Sequence, residues 1–270
     1  MDNFSFDDKD VDLSTYQKDL KPRNSLHIKR KLVHCLTGLG FAAFYTAVPR
    51  NYFVAGGAIA STFMFVVESL RYRKGFKWIN RIYMAGFGSI LRKHEMNGKM
   101  SGTFYYFAGV TLTAALFPPT AAVLGIAQLA IADPTASYFG RRTKHIYWSR
   151  LDGQLAGLGR NKGLLGFASG AVACFPLNYA LLTHAQWSSV PTRATIALAS
   201  ALIGCAGAFA DLAVPTPTIS MPDKCLGVKM PPLHIDDNFV VPVFGAWCTT
   251  KIFKLLALPS MLKLSKWLIF

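Results

Sequence analysis

Acidic residues are scarce in the body of this chain, so their positions are informative. After residue 19 only eight Asp and Glu remain. Five of them, Glu68, Asp133, Asp211, Asp236 and Asp237, sit inside or at the ends of strongly apolar stretches. A carboxylate in such a setting is expensive to hold and commonly serves a function. Basic groups gather at the same boundaries. Lys29, Arg30 and Lys31 precede the first apolar stretch, and Gly157-Leu158-Gly159-Arg160-Asn161-Lys162-Gly163 precedes the fifth. Glycines in the second segment let backbone amides approach an anion. It is not a Walker A loop, because the spacing and the terminal Lys-Ser/Thr are absent. Carboxylates and cations together suit a nucleotide and a divalent metal. Mg²⁺ takes one or two carboxylates plus phosphate oxygens, and phosphoryl transfer needs mainly positioning and charge neutralisation. An apolar bundle around such a site would supply a lipid as the second substrate.

The elements that must position these groups are hydrophobic. Of the 270 residues, 52% are hydrophobic and only 16% charged, yet the net charge is +15, from 29 Lys and Arg against 14 Asp and Glu. Mean hydropathy is +0.30. A soluble domain carries about 25% charged residues, so an ordinary cytosolic enzyme is a poor fit. Disorder is excluded by the amount of apolar surface. A helix crosses a bilayer with roughly 17–25 apolar residues, and seven stretches approach this: 32–49, 51–69, 102–117, 119–138, 163–183, 194–213 and 239–258. Pro49 stops the first, and Pro118-Pro119 makes a tight turn between the third and fourth. The expected fold is therefore all-α, a polytopic transmembrane bundle of about seven spans, with six to eight compatible.

The charge, sorted by segment, sets the orientation. The N-terminal segment and the three long loops hold 23 of the 29 basic residues, and the alternate loops hold only Arg50 and Arg193. Positive residues stay cytoplasmic, so the N-terminus, these loops and the five acids are expected on the cytoplasmic face. The charge thus reads as topology rather than as nucleic-acid binding. Residues 1–25 are expected to form a cytosolic tail, residues 26–258 the transmembrane domain, and residues 259–270 an interfacial basic-apolar segment, with an eighth short span as the other option. Residues 76–91 alternate apolar and basic positions at helical spacing, which suits an in-plane helix or one packed on the bundle. The five cysteines show no C-x-x-C and read as small buried hydrophobes. His27, His145, His184 and His234 show no ligand spacing and read as bystanders.

At Asp133, Ala136, Gly140 and Arg141 the chain matches D-x-x-A-x-x-x-G-[RK]. Further motifs follow the same order: Arg30-Lys31-x-x-His34, then Leu91-Arg92-Lys93-x-Glu95 with Gly98, then Arg160-Asn161-Lys162 with Gly166, and finally Asp236-Asp237-Asn238-Phe239-x-x-Pro242-Val243. Together these motifs resemble the CTP-dependent lipid kinases, namely the fungal-type diacylglycerol kinases, dolichol kinases and phytol kinases, which are relatives of the phosphatidate cytidylyltransferases. The resemblance covers roughly residues 29–245. The length and the Arg92-Lys93-x-Glu95 form look closest to the diacylglycerol kinase branch. There are departures: Lys162-Gly163 and Gly166-Phe167 stand where the family has Lys-Ser and Gly-Ser, and Asp211 stands where it has glutamate.

The resemblance implies transfer of the γ-phosphoryl group of CTP to diacylglycerol, giving phosphatidate, with Mg²⁺ as cofactor. It implies a membrane enzyme of the endoplasmic reticulum, extending to the nuclear envelope. The bilayer, CTP and diacylglycerol are its partners, nucleic acid is not, and the oligomeric state is left open. In this reading Asp133 is a metal ligand, and Asp236 or Asp237 is a second ligand or a base. Lys162, Arg30, Lys31, Arg141 and Arg160 neutralise phosphates. Gly140 allows close backbone approach. Arg92, Glu95, Asn161 and Asn238 orient the nucleotide. A phytol or polyprenol kinase and a phosphatidate cytidylyltransferase remain as alternatives. A transporter or an inactive lipid-binding homologue is the non-enzymatic reading.

Overall fold

The computed structural model describes residues 28–71, 76–87, 100–143, 145–146, 150–151, 159, 162–215, 224–225, 228–229, 233–259 and 261–263. The expected tail over 1–25, the site residues Arg92, Glu95, Arg160 and Asn161, and residues 264–270 lie outside these.

Each of the seven apolar stretches is a helix. They are α1 (Ile28–Ala47), α2 (Arg50–Leu70), α4 (Gly102–Leu116), α5 (Pro119–Arg142), α6 (Leu164–His184), α7 (Arg193–Ala213) and α8 (Asp237–Leu255), with a shorter α3 (Lys77–Phe87) between α2 and α4. Helix α1 starts before its apolar pattern does, because Lys and Arg are good helix formers at an end that need not be apolar. Pro119 occupies the first turn of α5, where its missing N–H costs nothing. The Arg50 guanidinium donates to the carbonyls of Ala114 and Ala115 at 2.8 and 2.6 Å, placing a cation on the C-terminal end of α4.

The architecture is an all-α helical membrane protein. Helices α2, α6 and α7 are each long and apolar enough to cross a bilayer. Their outward faces are apolar too: Ile59 is 71% and Val172 72% exposed. Helix α5 lies at the centre, packed by α1, α4, α6, α7 and α8, with Leu124, Ile126 and Leu129 fully buried. Helix α4 has 15 residues, about 22 Å at 1.5 Å per residue, and is short for a full crossing.

Close approach of backbones aligns the helix ends that matter. A Cβ on Gly109 of α4 would meet the Asn238 carbonyl of α8 at 2.6 Å, and one on Gly166 of α6 would meet the Ala136 carbonyl of α5 at 2.8 Å. Small residues at membrane helix crossings permit such contacts. Short antiparallel pairings tie the connections. Arg150–Leu151 pairs with Lys162–Gly163, and Gln186–Trp187 with Met261–Lys263. The second pairing brings the chain back beside the α6–α7 connection, so residues 261–263 run as extended chain and not as helix.

Helix α3 is held by a buried polar knot. The Tyr83 hydroxyl donates to Glu68 Oε1 at 2.7 Å and lies 3.0 Å from Ser101 Oγ. Arg71 Nη2 reaches Glu68 Oε2 at 3.0 Å, and its guanidinium covers the Tyr83 ring at 4.5 Å. Burial and the neighbouring Glu68 carboxylate push the Tyr83 hydroxyl well above its ordinary pKa. Trp78 and Ile82 point outward, 58% and 64% exposed. The helix is thus packed on the bundle on one side, one of the two readings of its sequence, and leaves Trp78 and Ile82 exposed on the other.

Gly166→Leu would force a side chain against the Ala136 carbonyl. Overpacking of this kind costs about 1–3 kcal/mol, so the purified protein is expected to melt at a lower temperature in detergent. An unchanged melting temperature would show that the α5–α6 contact is not tight.

Candidate active site

Five helix ends converge at one end of the bundle, and they carry the acids and cations singled out from the sequence. Asp133 lies in the C-terminal half of α5, and Lys31 in the first turn of α1. Lys162 immediately precedes α6, Asp211 lies in the last turn of α7, and Asp237 opens α8. The residues are far apart in the chain and meet only because neighbouring long helices run in opposite senses.

Asp133 is 5% exposed. Both of its carboxylate oxygens accept from the Lys31 ammonium at 2.7 Å. His34, one helical turn beyond Lys31, places Nε2 at 3.5 Å from Asp133 Oδ2 and 3.2 Å from the Leu129 carbonyl. The edge of its ring packs against Tyr106, with centroids 4.9 Å apart. On the other side of the site, Lys162 donates to Asp211 Oδ1 at 3.0 Å and lies 4.0 Å from Asp237 Oδ2. The pairing of Leu151 with Lys162 fixes the backbone that carries this lysine. One oxygen from each of Asp133, Asp211 and Asp237 lies within 4.8 Å of the others.

The electrostatics follow from this crowding. Unit charges about 4 Å apart interact by about 4 kcal/mol at an effective dielectric near 20. Burial pulls the Lys162 ammonium toward neutrality, and the carboxylates of Asp211, Asp237 and Asp133 more than reverse this, so its pKa is raised. The lysine is therefore charged throughout the physiological range.

Asp236 and Asp237 separate into two roles. Asp236 caps α8 by accepting from the Asn238 N–H at 3.0 Å, and it lies 3.3 Å from His234 Nε2. Burial and the Asp237 charge raise its pKa, against the opposing contacts with His234 and the Asn238 amide. It does not belong to the carboxylate triad; Asp237 does. Asn238 donates its side-chain amide to the Gly102 carbonyl at 3.2 Å, locking the start of α8 to the start of α4.

Three further expected site residues lie on α1 and α5. Arg30 is half-buried beside an apolar cavity. Arg141 lies two turns beyond Asp133 on α5 and is also half-buried. Gly140 faces Gly166 of α6, where an added Cβ would make only ordinary contact at 3.5 Å. Gly163 sits at the N-cap of α6 with extended backbone and no side-chain cap, so the first amides of that helix lack the partner a serine would bring.

Two residues go beyond the sequence reading. Asp211 completes the triad; its signal was an acid closing an apolar helix. His234, read as a bystander, is a correction. It is buried, and Tyr105 OH contacts both its Nδ1 at 3.2 Å and its backbone N–H at 2.8 Å. Its partner Tyr105 is 129 residues away in the chain, so no local spacing announced it.

An all-α membrane fold with a largely buried carboxylate triad bridged by two lysines defines a class of charged site at one end of a helical bundle. Among characterised proteins, the chain is similar to the CTP-dependent diacylglycerol kinase 1 of Schizosaccharomyces pombe. The two are 27% identical over 177 residues, covering 63% of this chain and 69% of that protein. No family model matches the chain, and no solved structure matches it.

Lys162→Met removes the cation that Asp211 and Asp237 share. Deleting one partner of a buried ion pair costs about 3–5 kcal/mol. The loss of thermal stability is expected to be larger at pH 8 than at pH 5, because protonation of the stranded carboxylates relieves their repulsion. Melting curves across that range check this, and an equal loss at both pH values would contradict the coupling.

Proposed function

We propose that the chain is a membrane lipid kinase that transfers the γ-phosphoryl group of CTP to diacylglycerol, forming phosphatidate at the cytoplasmic face of the endoplasmic reticulum membrane. The observation that carries this reading is the meeting of Asp133, Asp211 and Asp237 with Lys31 and Lys162 at one end of an apolar bundle. The similarity to the fission-yeast kinase supports the choice of donor and acceptor.

The donor set suits Mg²⁺, a hard cation that prefers oxygen ligands and shares its shell with phosphates. Asp133 and Asp237 would hold it, with Asp211 alongside. When bound, the metal neutralises phosphate charge. The chain's own groups do the rest. Arg30, Lys31, Lys162 and Arg141 offset the triphosphate, and the uncapped start of α6 adds backbone amides of the kind that suit an anion. Arg92, Glu95, Arg160 and Asn161 are assigned to the nucleotide on motif grounds alone. Asp236, His234 and Asn238 fix where α8 begins, and so where Asp237 points. Lys31 and Lys162 hold the carboxylates in place before substrate arrives, which limits reorganisation when it does.

Asp133→Asn is expected to lower lipid phosphorylation at least about 100-fold while the protein still inserts and folds. Membranes or purified protein incubated with γ-labelled or α-labelled CTP, with diacylglycerol, phytol and dolichol in parallel, test the chemistry and the acceptor together. Label in diacylglycerol from the γ position is the expected result. Label in lipid from the α position alone would refute a kinase and favour a cytidylyltransferase, and full activity of Asp133→Asn would sink the site.

A further inference from the structure

The consecutive helices α1 and α2 have different neighbours: α1 packs on α5 and α2 packs on α4, while the two touch little except near their connection. Close to Pro49 the gap is shut by aromatic rings. Tyr45 lies 4.8 Å and Phe44 5.9 Å from Phe53 by ring centroids. Toward the carboxylate end a cavity of about 450 Å³ separates α1, α2 and α4, within the usual range for a small-molecule site.

The cavity has two chemically different ends. Its inner walls are apolar, with Phe41 and Met64 among them. Its other end carries Arg30, His34, Thr103 and Asn238. His34 is the common wall, since it also reaches Asp133. Val33 and Phe63 line the cavity yet are 40% and 64% exposed, so it opens sideways between α1 and α2 onto the surface that a bilayer would cover.

We infer that this cleft is the acceptor subsite, entered laterally from the membrane by a glycerolipid alcohol whose hydroxyl comes to rest at His34 beside Asp133; this rests on the kinase reading above. An acceptor dissolved in lipid must bring its hydroxyl to phosphates held by charged groups without drawing its chains into water. A slot with an apolar interior, a polar end and a side opening meets that requirement. The polar end favours a glycerol backbone over an isoprenoid alcohol. Two ester carbonyls supply acceptors for Arg30, Thr103 and Asn238, whereas phytol or dolichol brings one hydroxyl. Sites built around hydrogen-bonding groups discriminate strongly against analogues that lack them. Ala60 and Thr37 line the slot from facing helices and would set its width.

The test uses the full-length protein in mixed micelles. Ala60→Phe fills the slot away from the charged groups. It is expected to raise the KM for dioleoylglycerol by roughly tenfold or more and to leave the KM for CTP and the melting temperature unchanged. Should that variant fail to fold, a wild-type readout independent of catalysis remains. A diacylglycerol with a photoactivatable acyl chain is expected to crosslink to α1, α2 or α4, and excess unlabelled dioleoylglycerol, but not phytol, is expected to prevent it. An unchanged lipid KM in folded Ala60→Phe, crosslinks confined to α6 and α7, or equal competition by phytol would each overturn the acceptor subsite. Absence of γ-label transfer by the wild type would instead overturn the kinase reading itself.

Discussion

Three carboxylates within 4.8 Å of one another, two buried and one half-buried, at the end of an apolar bundle form an arrangement that cannot stand alone. Like charges at that separation repel strongly where water is excluded, and each charge also loses hydration. The rest of the structure answers this constraint. Lys31 comes from α1 and Lys162 from the segment before α6, so two connections far apart in sequence must deliver ammonium groups to the same place. The Lys162 backbone is tied by its strand pairing, and the Asp237 backbone by the Asp236 cap and the Asn238 bond to Gly102. Glycines at helix crossings then bring the helix ends close enough for short side chains such as aspartate to meet.

This balance is neutral only in part, and the imbalance bears on the proposed chemistry. Two lysines and His34 face three aspartates, with Asp236 held apart by its cap and His234. A set of this kind accepts a divalent cation together with a polyanion more readily than either one alone. A lone metal would compete with lysines already in place, and a lone triphosphate would meet the carboxylates.

Much of this was legible in the sequence because it is written in local patterns. Seven apolar runs gave seven helices, since length and hydropathy are properties of a segment. Asp133 and Asp237 stood out because a charge is conspicuous against an apolar background. What was not legible depends on contacts between distant segments. The separation of Asp236 from Asp237 is a matter of which neighbour faces the α8 terminus, and adjacent letters cannot carry it. His234 acquired its contacts from Tyr105, across nearly half of the chain. Asp211 was visible as a helix-end acid, but only the packing of α7 beside α6 and α8 distinguishes a member of a carboxylate cluster from an ordinary surface pair.

The slot between α1 and α2 shows the same division more sharply. No residue lining it is unusual by type: Val33, Ala60, Phe63 and Met64 would sit as well in any membrane helix. The slot exists because α1 is drawn to α5 by the Lys31–Asp133 and His34–Asp133 contacts, while α2 follows α4, where the Glu68–Arg71–Tyr83–Ser101 knot fixes its end. Two polar anchors on different partners pull consecutive helices apart, and the aromatic rings near Pro49 keep the far end shut. On the proposed reading, the charged pair that places Asp133 would therefore also open the path by which a lipid hydroxyl could reach it. Weakening Lys31 would disturb both the carboxylate cluster and the slot at once, whereas the slot's apolar walls can be altered without touching the charges.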